Sequence, residues 1–321
     1  MLIGVDIGGT AVKIGAVDGK DFKLLTSIER PFDGAKSSAD FLAALAASCR
    51  ELELQVGQTA QAVGVCAPGY GDADSGALVD GGANVPVLRG YPLARRLSEA
   101  LGVPAKFEND GIAAAIAEAR FGAGRPFRRM LMLTLGTGVG GCVIIDDRAM
   151  RGAHGEPPEL GAIVLDDGGP VFSSGRPGSL ESFACAKGFL AAYRAAGGKE
   201  DLSDVQRLFA IASSDSAAAT AISATARRIA QAIGALTNAI ALDGCVIGGG
   251  IAQAGDVLIA NIAEHLPAFT WPLLCDGLSL ARATHGANSG LIGAASLAAE
   301  SIGMLRPQEP SVDPRSSIFR D

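Results

Sequence analysis

The chain opens on an apolar run, Leu2-Ile3-Gly4-Val5-Asp6-Ile7, interrupted by Gly8-Gly9-Thr10 and resumed as Val12-Lys13-Ile14-Gly15-Ala16-Val17. Short apolar runs bounded by glycine predict buried strands, here a strand, a turn and a returning strand. Residues 39–54 carry apolar positions at helical spacing, and Ala62-Val63-Gly64-Val65-Cys66 is a further buried strand. Residues 92–101 and 111–121 predict helices. Met130-Leu131-Met132-Leu133-Thr134-Leu135 then runs into Gly136-Thr137-Gly138-Val139-Gly140-Gly141, with Val143-Ile144-Ile145 returning. A strand, a Gly/Thr turn and a second strand thus occur twice, about 130 residues apart, and such self-similarity bears on the whole fold. Alanine-rich helices near 182–196 and 216–241 follow, then Cys245-Val246-Ile247 leading into Gly248-Gly249-Gly250, and a last helix over 289–302. Strands alternating with helices predict an α/β protein. Beyond that helix the run from Pro307 to Pro314 is proline-rich and polar, which predicts a loose tail over 306–321.

The 321 residues suffice for two modest domains around a cleft. No stretch has the length of uninterrupted apolar sequence that a membrane span needs. The start lacks a basic leader and meets Asp6 almost at once, so no signal peptide is expected and the expected location is the cytoplasm. A formal charge of −7 without a block of Lys or Arg argues against a nucleic-acid surface. The 6 cysteines (Cys49, Cys66, Cys142, Cys185, Cys245 and Cys275) are scattered and read as free buried thiols, and 3 histidines argue against a His-rich metal site.

The 43 glycines cluster after strands, and that placement changes the picture from fold to chemistry. Glycine lets backbone N–H groups crowd around an anion, so Asp6-Ile7-Gly8-Gly9-Thr10 reads either as a hairpin turn with a capped Asp or as a phosphate nest. A carboxylate ending a buried strand is costly unless it meets a cation or donors. Asp6 is thus placed to hold Mg²⁺–triphosphate through water, with Thr10 and Lys13 close by. A matching turn at Gly136-Thr137-Gly138 and the triplet Gly248-Gly249-Gly250 favour one polyphosphate ligand for all three. No GxxxxGK[ST] occurs, and Gly136–Gly141 leads into a strand rather than a helix, which disfavours a Walker loop and a dinucleotide fold. Phosphoryl transfer needs a proton acceptor, and Glu108-Asn109-Asp110 ends a strand before an alanine-rich helix. Asp110 is either a helix cap or a base in a cap-like position.

Together these junctions resemble the ROK family of bacterial sugar kinases and repressors, within the actin/hexokinase superfamily, from residue 2 to about 300. The resemblance implies an α/β actin-like ATPase (ribonuclease H-like) fold with two domains flanking a cleft. It implies a small domain of residues 1–112 plus 289–305 and a large one of 113–288. Asp6-Ile7-Gly8-Gly9-Thr10 and Gly136-Thr137-Gly138 resemble its two phosphate motifs, and Gly248-Gly249-Gly250 its adenosine end. By that resemblance Asp110 is the general base, Asn109 holds sugar hydroxyls, and Gly69, Asn84, Glu159 and Glu181 approach the sugar. ATP with Mg²⁺ is the implied cofactor, a small sugar the implied partner, and a homodimer or homotetramer the implied assembly.

One segment departs from the family pattern. The family's zinc histidine is replaced by Ala162, and its cysteines by Phe172, Ser174 and Ser179, so no structural zinc is expected. Ala162 also removes a donor beside the sugar and opens volume, which makes an amino sugar, an N-acetylhexosamine or a cyclitol an alternative to glucose. His154 reads as a plain surface histidine. A sugar-sensing repressor would need a helix-turn-helix, and the first phosphate motif begins within ten residues of Met1. A non-catalytic sugar-binding protein would be expected to have lost Asp110 or a nest, and both are present.

Overall fold

The computed structural model describes residues 1–31, 37–72, 75–80, 85–171 and 175–305. Asn84, Phe172, Ser174 and the tail expected over 306–321 lie outside the described residues.

The first half runs β1 (Leu2–Ile7), β2 (Ala11–Val17), β3 (Leu24–Pro31), α1 (Ser38–Val56), β4 (Val63–Ala67), a small hairpin of β5 (Tyr70–Gly71) and β6 (Leu78–Asp80), α2 (Leu93–Leu101), β7 (Ala105–Asn109) and α3 (Asp110–Phe121). The second half runs β8 (Arg129–Leu135), β9 (Val139–Ile145), β10 (Arg148–Ala149), α4 (Leu180–Ala184), α5 (Ala186–Ala195), α6 (Val205–Ile211), α7 (Ser216–Ile240), β11 (Gly244–Gly248), α8 (Asp256–His265), α9 (Pro272–Asp276), β12 (Ser279–Arg282) and α10 (Ser289–Ser301). The two five-stranded sheets have the orders β3-β2-β1-β4-β7 and β10-β9-β8-β11-β12. In each, an antiparallel meander supplies one side and two parallel strands the other. The repeated strand–turn–strand of the sequence is therefore a duplication of a whole sheet, the actin-like arrangement the resemblance implied.

Each half lends its last helix to the other. α3 follows the first sheet yet packs on β8 and β9, while α10 follows the second sheet and packs on β1 and β4. Gly4 and Gly64 make the second contact possible, because a Cβ on either would run into the backbone of α10 at Leu291 and Ala294. The two helices themselves meet where Gly293 abuts the Ala113 backbone. Glu118, wholly buried on α3, ties the crossing together. Its carboxylate accepts from Ala123 N at 3.1 Å, Thr284 N at 2.9 Å, His285 N at 2.8 Å and Ser289 Oγ at 3.0 Å, so the donors offset the cost of burying the charge. Arg120, two residues on, binds Asp147 at 2.9 Å, Ser296 at 3.1 Å and Glu300.

One core fills the space between α1, α2 and the first sheet, around Phe41, Leu45, Leu52, Val65 and Leu97. Another fills the second half around Phe189, Tyr193, Leu208, Ile229 and Ile262. The single helix expected over 182–196 is two helices, because Cys185 is extended at φ −79°, ψ 168° and the Ala186 N–H is spent on the Gly136 carbonyl at 2.9 Å. All the cysteines are free and only Cys275 is not buried. Among the described residues no helix is long and apolar enough to cross a membrane.

Candidate active site

The parallel strands fix where chemistry can occur. β1, β4 and β7 run in the same direction, with Asp6, Cys66 and Glu108 in one row across them and Ala67 beside Asn109 one residue later. β8 and β11 likewise run parallel, with Thr134 opposite Gly248 near their carboxyl ends. Ligands of open α/β sheets bind outside such carboxyl ends, and the two sets of ends here enclose a cleft of about 560 Å³. It is lined by Gly69, Asn109, Asp110, Gly136, Gly138, Glu159, Glu181 and Gly249, which brings together residues expected at both the sugar and the phosphates. Pro68, Pro157 and Pro158 complete the wall.

The structure reassigns the helix cap. Asn109, not Asp110, caps α3, with Oδ1 accepting from Ile112 N at 3.0 Å. Its Nδ2 donates to the Gly69 carbonyl at 3.0 Å, leaving an amide able to offer at most one further donor and one further acceptor. Asp110 is consequently the first helical residue, its Oδ1 accepting from Gly111 N at 2.8 Å. Burial pushes the Asp110 carboxyl above the ordinary carboxylate range, while backbone N–H groups pull it back. Asp6 is pushed up to about 6, first by burial and then by the charge of Asp110, against the Cys66 thiol and Lys13, which lower it. Lys13 faces Asp6 directly across the β1–β2 pair. The Cys66 thiol donates to Asp6 Oδ1 at 3.6 Å and lies 3.5 Å from the Gly290 carbonyl.

The glycines divide into two kinds. Gly8 N–H donates to the Ala11 carbonyl at 2.9 Å and Gly136 N–H to the Gly138 carbonyl at 3.0 Å, so both N–H groups close their hairpins, although Gly136 still lines the cleft. Gly9, Thr10 and Thr137 are left exposed at the turn tips. Gly248 is a packing position, buried in β11 where a Cβ would press on the Met132 methyl at 2.5 Å. Gly249 turns the chain into the cleft at φ +82°, and around Gly250 a Cβ would meet nothing. These turns leave open backbone on either side of Asp6 and Asp110, two carboxylates raised in pKa with Lys13 the one cation that lowers Asp6. A polyphosphate carried on a divalent cation fits that donor set.

Among the residues expected at the sugar, Glu181 lies in the first turn of α4 and its Oε2 accepts from Val139 N at 3.0 Å, against Gly138. Glu159 precedes the short turn Leu160–Ala162, with Ala162 half-buried. Ser179, in the expected place of a zinc cysteine, caps α4 and bonds the Ser182 hydroxyl at 2.9 Å. His154 is exposed at its side chain, and its backbone carbonyl accepts from the Tyr70 hydroxyl. Arg151 was not legible in the sequence. Its guanidinium grips the buried Glu108 carboxylate with both terminal nitrogens.

Comparison with known proteins gives the family. The profile of the ROK family matches residues 2–301. A glucokinase of Thermotoga maritima is 31% identical over 316 residues, covering 94% of this chain and 98% of its own length. An N-acetylmannosamine kinase of Salmonella arizonae is 30% identical, covering 92% and 97%. The crystal structure of a ROK family glucokinase from Streptomyces griseus, in complex with glucose and AMPPNP, superposes with a TM-score of 0.78 at 26% identity, covering 93% of this chain and 99% of that one. With nearly the whole of both chains aligned in each case, this protein belongs to the ROK family and is a sugar kinase.

Proposed function

We propose that this kinase uses Asp110 as general base to phosphorylate a hexose or hexose analogue from ATP. The observation that carries the reading is the cleft in which Asp110 lies among Gly69, Glu159, Glu181 and the glycine turns, with Asp6 near enough for the charge of Asp110 to raise its pKa. When bound, ATP with Mg²⁺ supplies the phosphoryl group and the charge that offsets it, an assignment supported by the AMPPNP complex of the Streptomyces griseus relative. Gly9, Thr10, Thr137 and Gly249 would hold its phosphates, with Asp6 and Lys13 beneath, and Gly250 would adjoin the nucleoside.

Asp110 accepts the proton of the attacking hydroxyl as that oxygen bonds to phosphorus and the bond to the leaving diphosphate breaks. Its raised pKa makes it a better proton acceptor than an exposed carboxylate. Glu159, Glu181 and the remaining capacity of the Asn109 amide orient the acceptor's other hydroxyls. Approach of the two lobes would exclude water and protect the donor from hydrolysis.

Pro157 and Pro158 bear on the acceptor. Both line the cleft beside Glu159 and neither has an N–H, so this wall offers ring carbon instead of donors. Such a wall suits an acetamido methyl better than a hydroxyl, in keeping with the volume that Ala162 is expected to open beside the sugar. A coupled ADP-release assay across glucose, mannose, their 2-acetamido analogues, amino sugars and cyclitols tests the function. Asp110→Asn should lower turnover at least about a hundredfold while sugar binding survives. Turnover within tenfold of wild type would remove Asp110 as the base.

A further inference from the structure

The Glu108–Arg151 pair joins the two halves of the molecule. Glu108 lies on β7, the edge strand of the first sheet, and Arg151 lies just past β10 in the second. The Glu108 side chain is nearly buried, at 10% exposure, whereas Arg151 keeps 39%. An ionised carboxylate so placed needs both charge and donors, and here Arg151 brings two nitrogens while Asn109 N–H donates to Oε1 at 2.8 Å. That Asn109 N–H is the last backbone donor before α3 begins. The same residue caps α3 through Oδ1 and holds the Gly69 carbonyl through Nδ2. Arg151, Glu108 and Asn109 therefore form one continuous set of hydrogen bonds that ends at the residue before Asp110. A second bond from the first half, from the Tyr70 hydroxyl to the His154 carbonyl, fixes the 151–154 stretch against β5 as well. The charge also matters locally, since Asp6, Glu108 and Asp110 all bear on the Cys66 thiol from one small volume.

We propose that Arg151 is a positioning residue, reaching from the second lobe to set the end of β7 and thereby the aim of Asp110. The inference rests on the reading of Asp110 as base. The strand end is held correctly only while the second lobe presents its guanidinium, so the base is ordered by the approach of the lobes. Lysine cannot replace this function fully, because a single ammonium lacks the planar fork that holds both carboxylate oxygens. Arg151 touches neither reacting atom, so its loss should appear in turnover rather than in sugar affinity.

The test compares wild type with Arg151→Met, Arg151→Lys, Glu108→Gln, the double variant Arg151→Met/Glu108→Gln and Asp110→Asn. Glucose and N-acetylmannosamine serve as probes, with kcat by ADP release, sugar Kd by calorimetry, and amide hydrogen exchange at Asn109 and Ile112. Arg151→Met should lose about 10- to 100-fold in kcat, the range that small misplacements of a catalytic group produce. Sugar Kd should stay within about threefold, and the Asn109 and Ile112 amides should exchange faster while α7 does not change. Arg151→Lys should fall between, and the double variant should be no worse than Arg151→Met, because the two residues act as one unit. The proposal is overturned if Arg151→Met keeps kcat within about threefold, or if exchange rises across the whole chain with a matching fall in Tm. Asp110→Asn separates the two readings. Turnover surviving there removes the base assignment, whereas turnover surviving in Arg151→Met with Asp110→Asn dead removes only the relay.

Discussion

The proposed base, Asp110, begins α3 half-buried at the cleft wall, with Gly111 N–H holding one carboxylate oxygen and burial raising its pKa. Its raised pKa has a sign that kinetics can check. A protonated Asp110 accepts nothing, so turnover should fall on acidification at a pH above the ordinary carboxylate range. Asp6 adds to the same limb near 6, and Lys13→Met should move that limb to higher pH because the lysine lowers Asp6. Stability runs the other way. The folded chain keeps a proton on Asp6 that the unfolded chain releases, so stability is gained on the acid side and lost as pH rises from the ordinary 3.8 through about 6. Asp6→Asn should therefore raise Tm at pH 8 while abolishing Mg²⁺-dependent turnover, and a Tm that falls instead would show the carboxylate already satisfied. Asp6 and Asp110 were legible in the sequence because a charge ending an apolar strand demands a reason. Gly8, Gly136 and Gly248 were legible only as glycines, since which N–H closes a turn is settled by register. Arg151 was not legible, because its partner lies in the other sheet.

At the level of elements, the contact of α10 with the first sheet depends on missing side chains. Gly64 faces the backbone of α10 at Ala294, and backbone cannot swing aside as a flexible side chain can. Gly64→Ala should cost about 1–3 kcal/mol, read as a lower Tm, and should also weaken Mg²⁺–ATP because the same displacement lifts Gly290 from Asp6. A normal Tm would mean that the helix and sheet can separate cheaply. Apolar periodicity located these elements well, and their ends less well. The break at Cys185 was hidden because alanine-rich sequence reads as helix through it, while the bond that interrupts it comes from the distant Gly136.

For the molecule as a whole, the duplication was visible as two similar turns, yet nothing in those turns says that the halves exchange helices. Glu118 marks the exchange, with donors arriving from the segment before α10. Glu118→Gln replaces a four-fold acceptor by an amide whose own hydrogens face other donors, and should cost about 2–4 kcal/mol and lower unfolding cooperativity between the lobes. Calorimetry showing one unchanged transition would refute that. The exchange also sets an order of events during synthesis. The first sheet is complete when residue 109 has emerged from the ribosome, but the face on Gly4 and Gly64 has no cover until residues 289–301 follow. Nascent chains stalled before that point should expose an apolar sheet to chaperones and proteases, and the first half should become resistant only once the last helix is released.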